Sequence, residues 1–147
     1  MAAIASGGIA ELHPNAVVLD SPAITMLFTI IRDKRTTQRD YVGASDRLMA
    51  MLAEEGLARL PCVAPTTVET PCGAYAGLAA PPSDRICGVD IVRSGGILLE
   101  AVRRIAPDSK TAKILIQRDE ATAEPKLFYA KLPPDVAELM VLSLIHI

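Results

Sequence analysis

Ile86-Cys87-Gly88-Val89-Asp90-Ile91-Val92-Arg93-Ser94-Gly95-Gly96 is the stretch that decides the fold. Its first seven residues are a short, mostly apolar run, the pattern of a strand buried within a sheet. Arg93-Ser94-Gly95-Gly96 interrupts that run. Beyond it Ile97, Leu98, Ala101, Val102 and Ile105 mark an amphipathic helix, which Pro107-Asp108 ends. Lys113-Ile114-Leu115-Ile116-Gln117 is a second core strand. Strand, glycine loop, helix and strand make a βαβ unit, with parallel strands and a right-handed crossover. The fold class expected is α/β.

Downstream, Lys113 to Glu138 reads KILIQRDEATAEPKLFYAKLPPDVAE. The strand leads into Arg118-Asp119-Glu120 and then into an extended excursion over Glu124 to Leu132. A tight turn near Ala123-Glu124-Pro125 folds this piece back as a hairpin, and Pro133-Pro134-Asp135 closes it. Upstream, residues 1–20 read as a leader. Ser21-Pro22 starts a helix with Pro at its first position, and Met26, Leu27, Ile30 and Ile31 follow at helical spacing. Thr36 and Thr37 cap a second helix whose positive end suits Asp40. Its stripe is Tyr41, Ala44, Leu48, Met51 and Leu52, and it ends near Gly56 or Pro61. From Pro61 to Ser83 prolines punctuate short β-prone pieces, Thr66-Thr67-Val68 and Ala74-Tyr75-Ala76, which read as a strand or hairpin with loops.

Composition limits the function. The 147 residues fit one domain, and with half of them apolar a packed core is within reach. A net charge of −2 leaves no electrostatic footprint for nucleic acid, and five Tyr and Phe residues with no Trp make a poor stacking surface. No apolar run is long enough to span a bilayer. Met1 to Ala10 lacks a basic n-region, so it is a poor signal peptide and is expected to fray. Cys62, Cys72 and Cys87 form no Cys-x-x-Cys pair, and His13 and His146 lie near opposite ends, so no metal cluster is expected. Reduced cytosolic thiols are the simplest reading.

Two loops could carry chemistry. Arg93-Ser94-Gly95-Gly96 lies between the carboxyl end of a strand and the amino end of a helix, where free N–H groups and the helix dipole favour an anion. Glycine permits close approach, and Arg93 adds a fork-shaped positive charge. Arg118-Asp119-Glu120 lies at the carboxyl end of the next strand, the edge where open α/β sheets bind ligands. Two arginines at the ends of adjacent strands could face one polyphosphate. Each loop also has a plainer reading, an ordinary βα turn with a surface arginine and a solvated turn with a local Arg–carboxylate pair. Asp90 is the one odd polar residue in a core strand and is expected at an exposed or hydrogen-bonded point. Phosphate-loop, serine-elbow and Ser-His-Asp patterns are absent, so covalent hydrolase chemistry has no candidates.

Three blocks resemble the uracil phosphoribosyltransferase family, in wording closer to its eukaryotic branch. The first runs from Thr29-Ile30-Ile31-Arg32-Asp33-Lys34 through Ser45-Asp46-Arg47-Leu48 and Glu54-Glu55-Gly56-Leu57 to Leu60-Pro61. The second is Ile86 to Gly95, and the third is Lys113 to Glu138. The resemblance implies a type I phosphoribosyltransferase fold, a parallel sheet with flanking helices and a β-hairpin hood formed by residues 119–132. It implies transfer of ribose 5-phosphate from phosphoribosyl diphosphate to uracil, giving UMP and pyrophosphate with Mg²⁺. Arg93, Ser94 and Gly95 match the family's pyrophosphate loop, and Arg118 matches a second diphosphate-contacting arginine. No residue of this chain matches a catalytic or metal-ligating position. Some members are activated by GTP at a subunit interface. The matching basic positions are Arg47, Arg85 and Lys110, with Gln38 standing where that pattern has lysine; a solvated face is the preferred reading of these three. A cytoplasmic homo-oligomer is implied for the parent, with no nucleic acid and no membrane as partner.

The chain departs from the family in places. Ser94 replaces an alanine, which keeps the loop small and adds a hydroxyl, and Gly96-Ile97-Leu98 replaces a more polar Glu-Ser-Met run. The family continues from a strand into an Asp-Pro-Met-x-Ala-Thr-Gly-Gly-Ser loop for the ribose phosphate. A later Pro-Gly-x-Gly-Asp-x-Gly-Asp segment reads uracil. Neither is in this sequence. Leu142-Ser143-Leu144-Ile145-His146-Ile147 is what a common sequencing adapter encodes in one frame, so residues 21–141 are expected to be a partial domain and 142–147 a non-native tail. The fragment is expected to be inactive, incomplete at the sheet edge and marginal as a stand-alone module. The alternative is a non-catalytic phosphoribosyltransferase-like sensor or regulatory domain, for example fused to a uridine kinase.

Overall fold

The computed structural model describes residues 13–145. The readings of Met1–Ala10 and of His146 fall outside them. The chain divides into two compact units, Met1–Leu48 and Met49–Ile147.

In the first unit, helix α1 is Pro22–Arg32. Ser21, in extended conformation, caps it: its hydroxyl accepts the Ile24 N–H at 3.3 Å. Pro22 gives up no needed hydrogen bond there, because the first helical N–H groups have no intrahelical partner. Replacing Ser21 by Ala is expected to cost about 1 kcal/mol of this unit's stability, read from its denaturant midpoint. Helix α2, Gln38–Leu57, starts in the same unit. Thr37 Oγ1 accepts the Asp40 N–H at 3.1 Å and donates to the Asp40 carboxylate at 2.8 Å, so side chain and helix start fix one another. The apolar stripes are there, but the chain covers little of them. Leu27 and Ala44 are buried, whereas Met26 is 69% exposed and Tyr41 48%. Periodicity tells which face of a helix is apolar and not what covers it.

The second unit takes Ala53 and Leu57 of α2 into its core. The Pro61 to Ser83 region is a hairpin. Strands β1, Ala64–Thr70, and β2, Gly73–Ala79, pair antiparallel from Ala64 opposite Ala79 to Thr70 opposite Gly73. Gly73 has φ +120°, a conformation that side chains with a Cβ rarely adopt. Most of the hairpin is exposed on both faces.

The sheet that positions the site has four strands in the order β5-β4-β3-β6. They are β3, Ile86–Val92; β4, Lys110–Arg118; β5, Pro125–Lys131; and β6, Met140–Leu144. Helix α3, Gly95–Ile105, joins β3 to β4, which pair in parallel as the βαβ reading requires. Strand β6 runs parallel on the other side of β3, with Ile86 opposite Met140 and Asp90 opposite Leu144. Residues 142–144 are thus part of a strand. The excursion is β5, antiparallel to β4, so the sheet is parallel in its core with an antiparallel edge. Alternation along β3 serves two cores. Ile86 packs with Leu98, Leu99, Val102 and Leu144, while Cys87 and Val89 pack with Ala112 on the other face.

All three cysteines are free. Burial, first, and the Asp135 charge, second, push the Cys87 thiol up. Cys72 is exposed. A thiol reagent at pH 8 should therefore modify Cys72 in the native protein and reach Cys87 only on unfolding, as peptide mapping would show.

Candidate functional site

The carboxyl ends of β3 and β4 form one edge. Val92 and Leu115 are register partners, so Arg93 follows the last paired residue of β3 and Arg118 closes β4 three residues further on. Both side chains are exposed. Neither has an ion-pair partner among the described residues. The two predicted arginines thus come to the same edge of adjacent parallel strands with their charges uncommitted.

The loop between Arg93 and α3 is tightly supported. The Val92–Arg93 peptide is cis. Ser94 stands at the N-cap position, the Gly96 N–H bonds Arg93 O at 3.3 Å, and Gly95 is buried. A Cβ on Gly95 would lie 2.2 Å from the Leu144 carbonyl oxygen and 2.7 Å from Asp90 Oδ1. Glycine is required here by close approach, since the end of β6 and the Asp90 carboxylate occupy the space of a side chain.

Asp90 corrects the expectation from the strand pattern. It is 3% exposed, and among the described residues Oδ1 has no hydrogen-bond partner. Its Oδ2 lies 3.6 Å from Lys113 Nζ. The cause is register. Asp90 and Lys113 are paired positions of parallel strands, so their side chains project from the same face. Lys113 reaches across from the solvent side, its side chain 60% exposed.

Asp119 forms no pair with Arg118. Its carboxylate accepts the N–H groups of Ala121 and Thr122 at 2.9 and 3.1 Å, and Ala123, at φ 58°, completes the turn into β5. These bonds, Thr122 first and then Ala121, hold the Asp119 carboxyl below its usual value. The Lys110 ammonium, which hydrogen-bonds Asp135, likewise lowers Asp135. A carboxyl lowered in the folded state contributes its stability fully above the unfolded value, and that contribution is lost as pH falls through the folded one. The turn over 119–124 should therefore loosen only in acid, below about pH 4. Faster exchange of the Ala121 and Thr122 amides on acidification, beyond the intrinsic pH dependence of exchange, would show it, and the Asp119→Asn protein should show no such step.

Of the three basic positions noted for GTP, Lys110 is committed to Asp135, and the Arg85 charge also acts on Asp135. Arg47 belongs to the first unit, where it lines a cleft with Arg39 and Asp40. Two features escaped the sequence reading, the Lys113 partner of Asp90 and the seat of Gly95 on Leu144. Only the strand register could have disclosed the first.

A family model described as uracil phosphoribosyltransferase matches residues 18–144. The chain is 48% identical over 132 residues to a uracil phosphoribosyltransferase of Dictyostelium discoideum, covering 88% of this chain and 60% of that one. It is 49% identical over 119 residues to a protein of the same name from Lachancea kluyveri, covering 80% and 54%. It is also 37% identical over 138 residues to uridine kinase-like protein 3 of Arabidopsis thaliana, covering 92% of this chain and 29% of that one. Among solved structures, that of the AQ2163 protein from Aquifex aeolicus superimposes with a TM-score of 0.63 at 25% identity, covering 87% and 60%. This chain therefore spans only 54% to 60% of the two phosphoribosyltransferases named here.

Proposed function

We propose, from the premise that this chain belongs to the uracil phosphoribosyltransferase family, that it is the diphosphate-binding part of a pyrimidine-salvage enzyme. The parent joins uracil to the ribose 5-phosphate of phosphoribosyl diphosphate and releases UMP and pyrophosphate. One observation carries the assignment of this chain's part: Arg93 and Arg118 stand uncommitted at the ends of adjacent parallel strands.

The physical role follows. Charge builds on the diphosphate as the bond to the ribose carbon breaks. Fixed guanidinium groups and the N–H groups at the start of α3 stabilise that charge without reorganising. Mg²⁺ enters as part of the substrate, carried on the diphosphate. The β4–β5 turn, braced by Asp119, lies beside Arg118, which suits a cover over the edge.

Titration of the 147-residue chain with pyrophosphate at low salt tests this reading. Arg93→Gln and Arg118→Gln should each weaken binding by about tenfold or more, the effect of removing one charge-assisted partner of an anion. Unchanged affinity in both variants would remove the assignment.

For the parent we also propose a homo-oligomer in the cytoplasm. Exposed Met26 and Phe28 on α1 and Val68, Tyr75 and Leu78 on the hairpin support self-association. No described helix is long and apolar enough to cross a membrane. Activation by GTP has the least support, because Lys110 is engaged by Asp135. A second reading, a domain attached to a uridine kinase, is favoured by the Arabidopsis relative. Uridine phosphorylation by the parent would select it.

A further inference from the structure

We propose that Asp90 and Lys113 are a charge pair that sets how tightly the Arg93-Ser94-Gly95-Gly96 loop holds a diphosphate; the inference rests on the diphosphate reading of that loop. Asp90 lies three residues before Arg93 on β3. Its carboxylate is directly beneath the loop: the positions a Cβ would take on Gly95 and Gly96 are 2.7 Å from Oδ1 and 3.9 Å from Oδ2.

This carboxylate is incompletely neutralised. Oδ1 has no hydrogen-bond partner among the described residues, and the cation that pairs with Oδ2, Lys113 Nζ, stands off at 3.6 Å. A charge that water does not reach keeps its field over several ångströms. Here the field is directed at the place where the α3 amino end and Arg93 attract an anion, and it opposes that attraction. Lys113, on the solvent side of the same sheet face, offsets it. Asp90 is thus a positioning residue of an electrostatic kind. It limits the grip on the diphosphate, which as the released product must leave before another turnover. Lys113 keeps the limit from becoming exclusion.

The test is pyrophosphate titration of the whole 147-residue chain by calorimetry, with a thermal melt to check folding. Asp90→Asn, nearly the same shape without the charge, should bind pyrophosphate more tightly, by on the order of tenfold. Lys113→Gln, an exposed change that leaves the core alone, should bind it several-fold more weakly. A structural role for Asp90 alone would change the melt without moving the two affinities in opposite directions. If Arg93→Gln loses affinity while Asp90→Asn and Lys113→Gln bind as the unaltered chain does, or shift the same way, the charge-pair inference is wrong and the diphosphate reading stands. If Asp90→Asn fails to fold, unchanged affinity in Lys113→Gln is enough to overturn it. If the unaltered chain shows no saturable pyrophosphate binding, or Arg93→Gln leaves it unchanged, both readings fall.

Discussion

Gly95→Ala should unfold the Arg93-Ser94-Gly95-Gly96 loop from its seat and lower the melting temperature by about 5–15 °C. The added methyl carbon would stand 2.2 Å from the Leu144 carbonyl oxygen, which is backbone, and 2.7 Å from Asp90 Oδ1. A flexible side chain could swing away from such a contact; a strand held in register to β3 cannot do so cheaply. The cost expected is about 3 kcal/mol, the upper end of the usual range for overpacking a closed site. Either β6 shifts along β3 or the amino end of α3 lifts. Both move Arg93, so pyrophosphate affinity should fall with stability. Gly43 and Gly56, inside α2 with nothing within 4 Å of the added carbon, are the control. Alanine there should stabilise the helix by up to about 1 kcal/mol each. A melting temperature for Gly95→Ala within a degree of the unaltered protein would show that the seat is soft.

The second large effect concerns turnover. The purified 147-residue chain should bind pyrophosphate yet form no measurable UMP from uracil and phosphoribosyl diphosphate. The Asp-Pro-Met-x-Ala-Thr-Gly-Gly-Ser loop and the Pro-Gly-x-Gly-Asp-x-Gly-Asp segment, to which the resemblance assigns the ribose phosphate and uracil, are not among its residues. Charge stabilisation at the leaving group accelerates a reaction only when both partners are held in place, and positioning is worth several orders of magnitude in rate. Radiolabelled uracil gives the needed sensitivity. Robust UMP synthesis by this chain would mean that other residues bind uracil. Restoring activity by supplying the family's two segments in a longer chain would confirm the division of labour.

Much of the fold could be read directly from the residues. Ile86 to Val92 is almost wholly apolar, and a run so short between a charged turn and a glycine loop has few other uses than a central strand. Ser21-Pro22 and Thr37 with Asp40 announce helix starts because the side chains themselves satisfy the first N–H groups. Exposure was harder to read. Met26 and Tyr41 have the spacing of buried residues, but spacing is a local property and cover is supplied from elsewhere. The site shows the same division. The placement of Arg93 and Arg118 is legible because each ends an apolar run at a predictable edge. Asp90 was misjudged because its partner lies 23 positions on, chosen by the parallel register and not by anything near it in the chain. Lys110 reads in the sequence as part of a solvated face, while its partner Asp135 lies 25 positions on. Elements and their order were legible; side-chain pairs between positions far apart in the chain were not.

The place of β6 beside β3 has a consequence for biosynthesis. Ile86 meets Met140 across that pairing, so one edge of β3 leaves the ribosome roughly fifty residues before its neighbour. At about 5–20 residues per second the edge waits some seconds, long enough for βα formation but also for a chaperone or a second nascent chain to find it. Translation speed over residues 93–140 should therefore influence how much of the protein emerges correctly assembled.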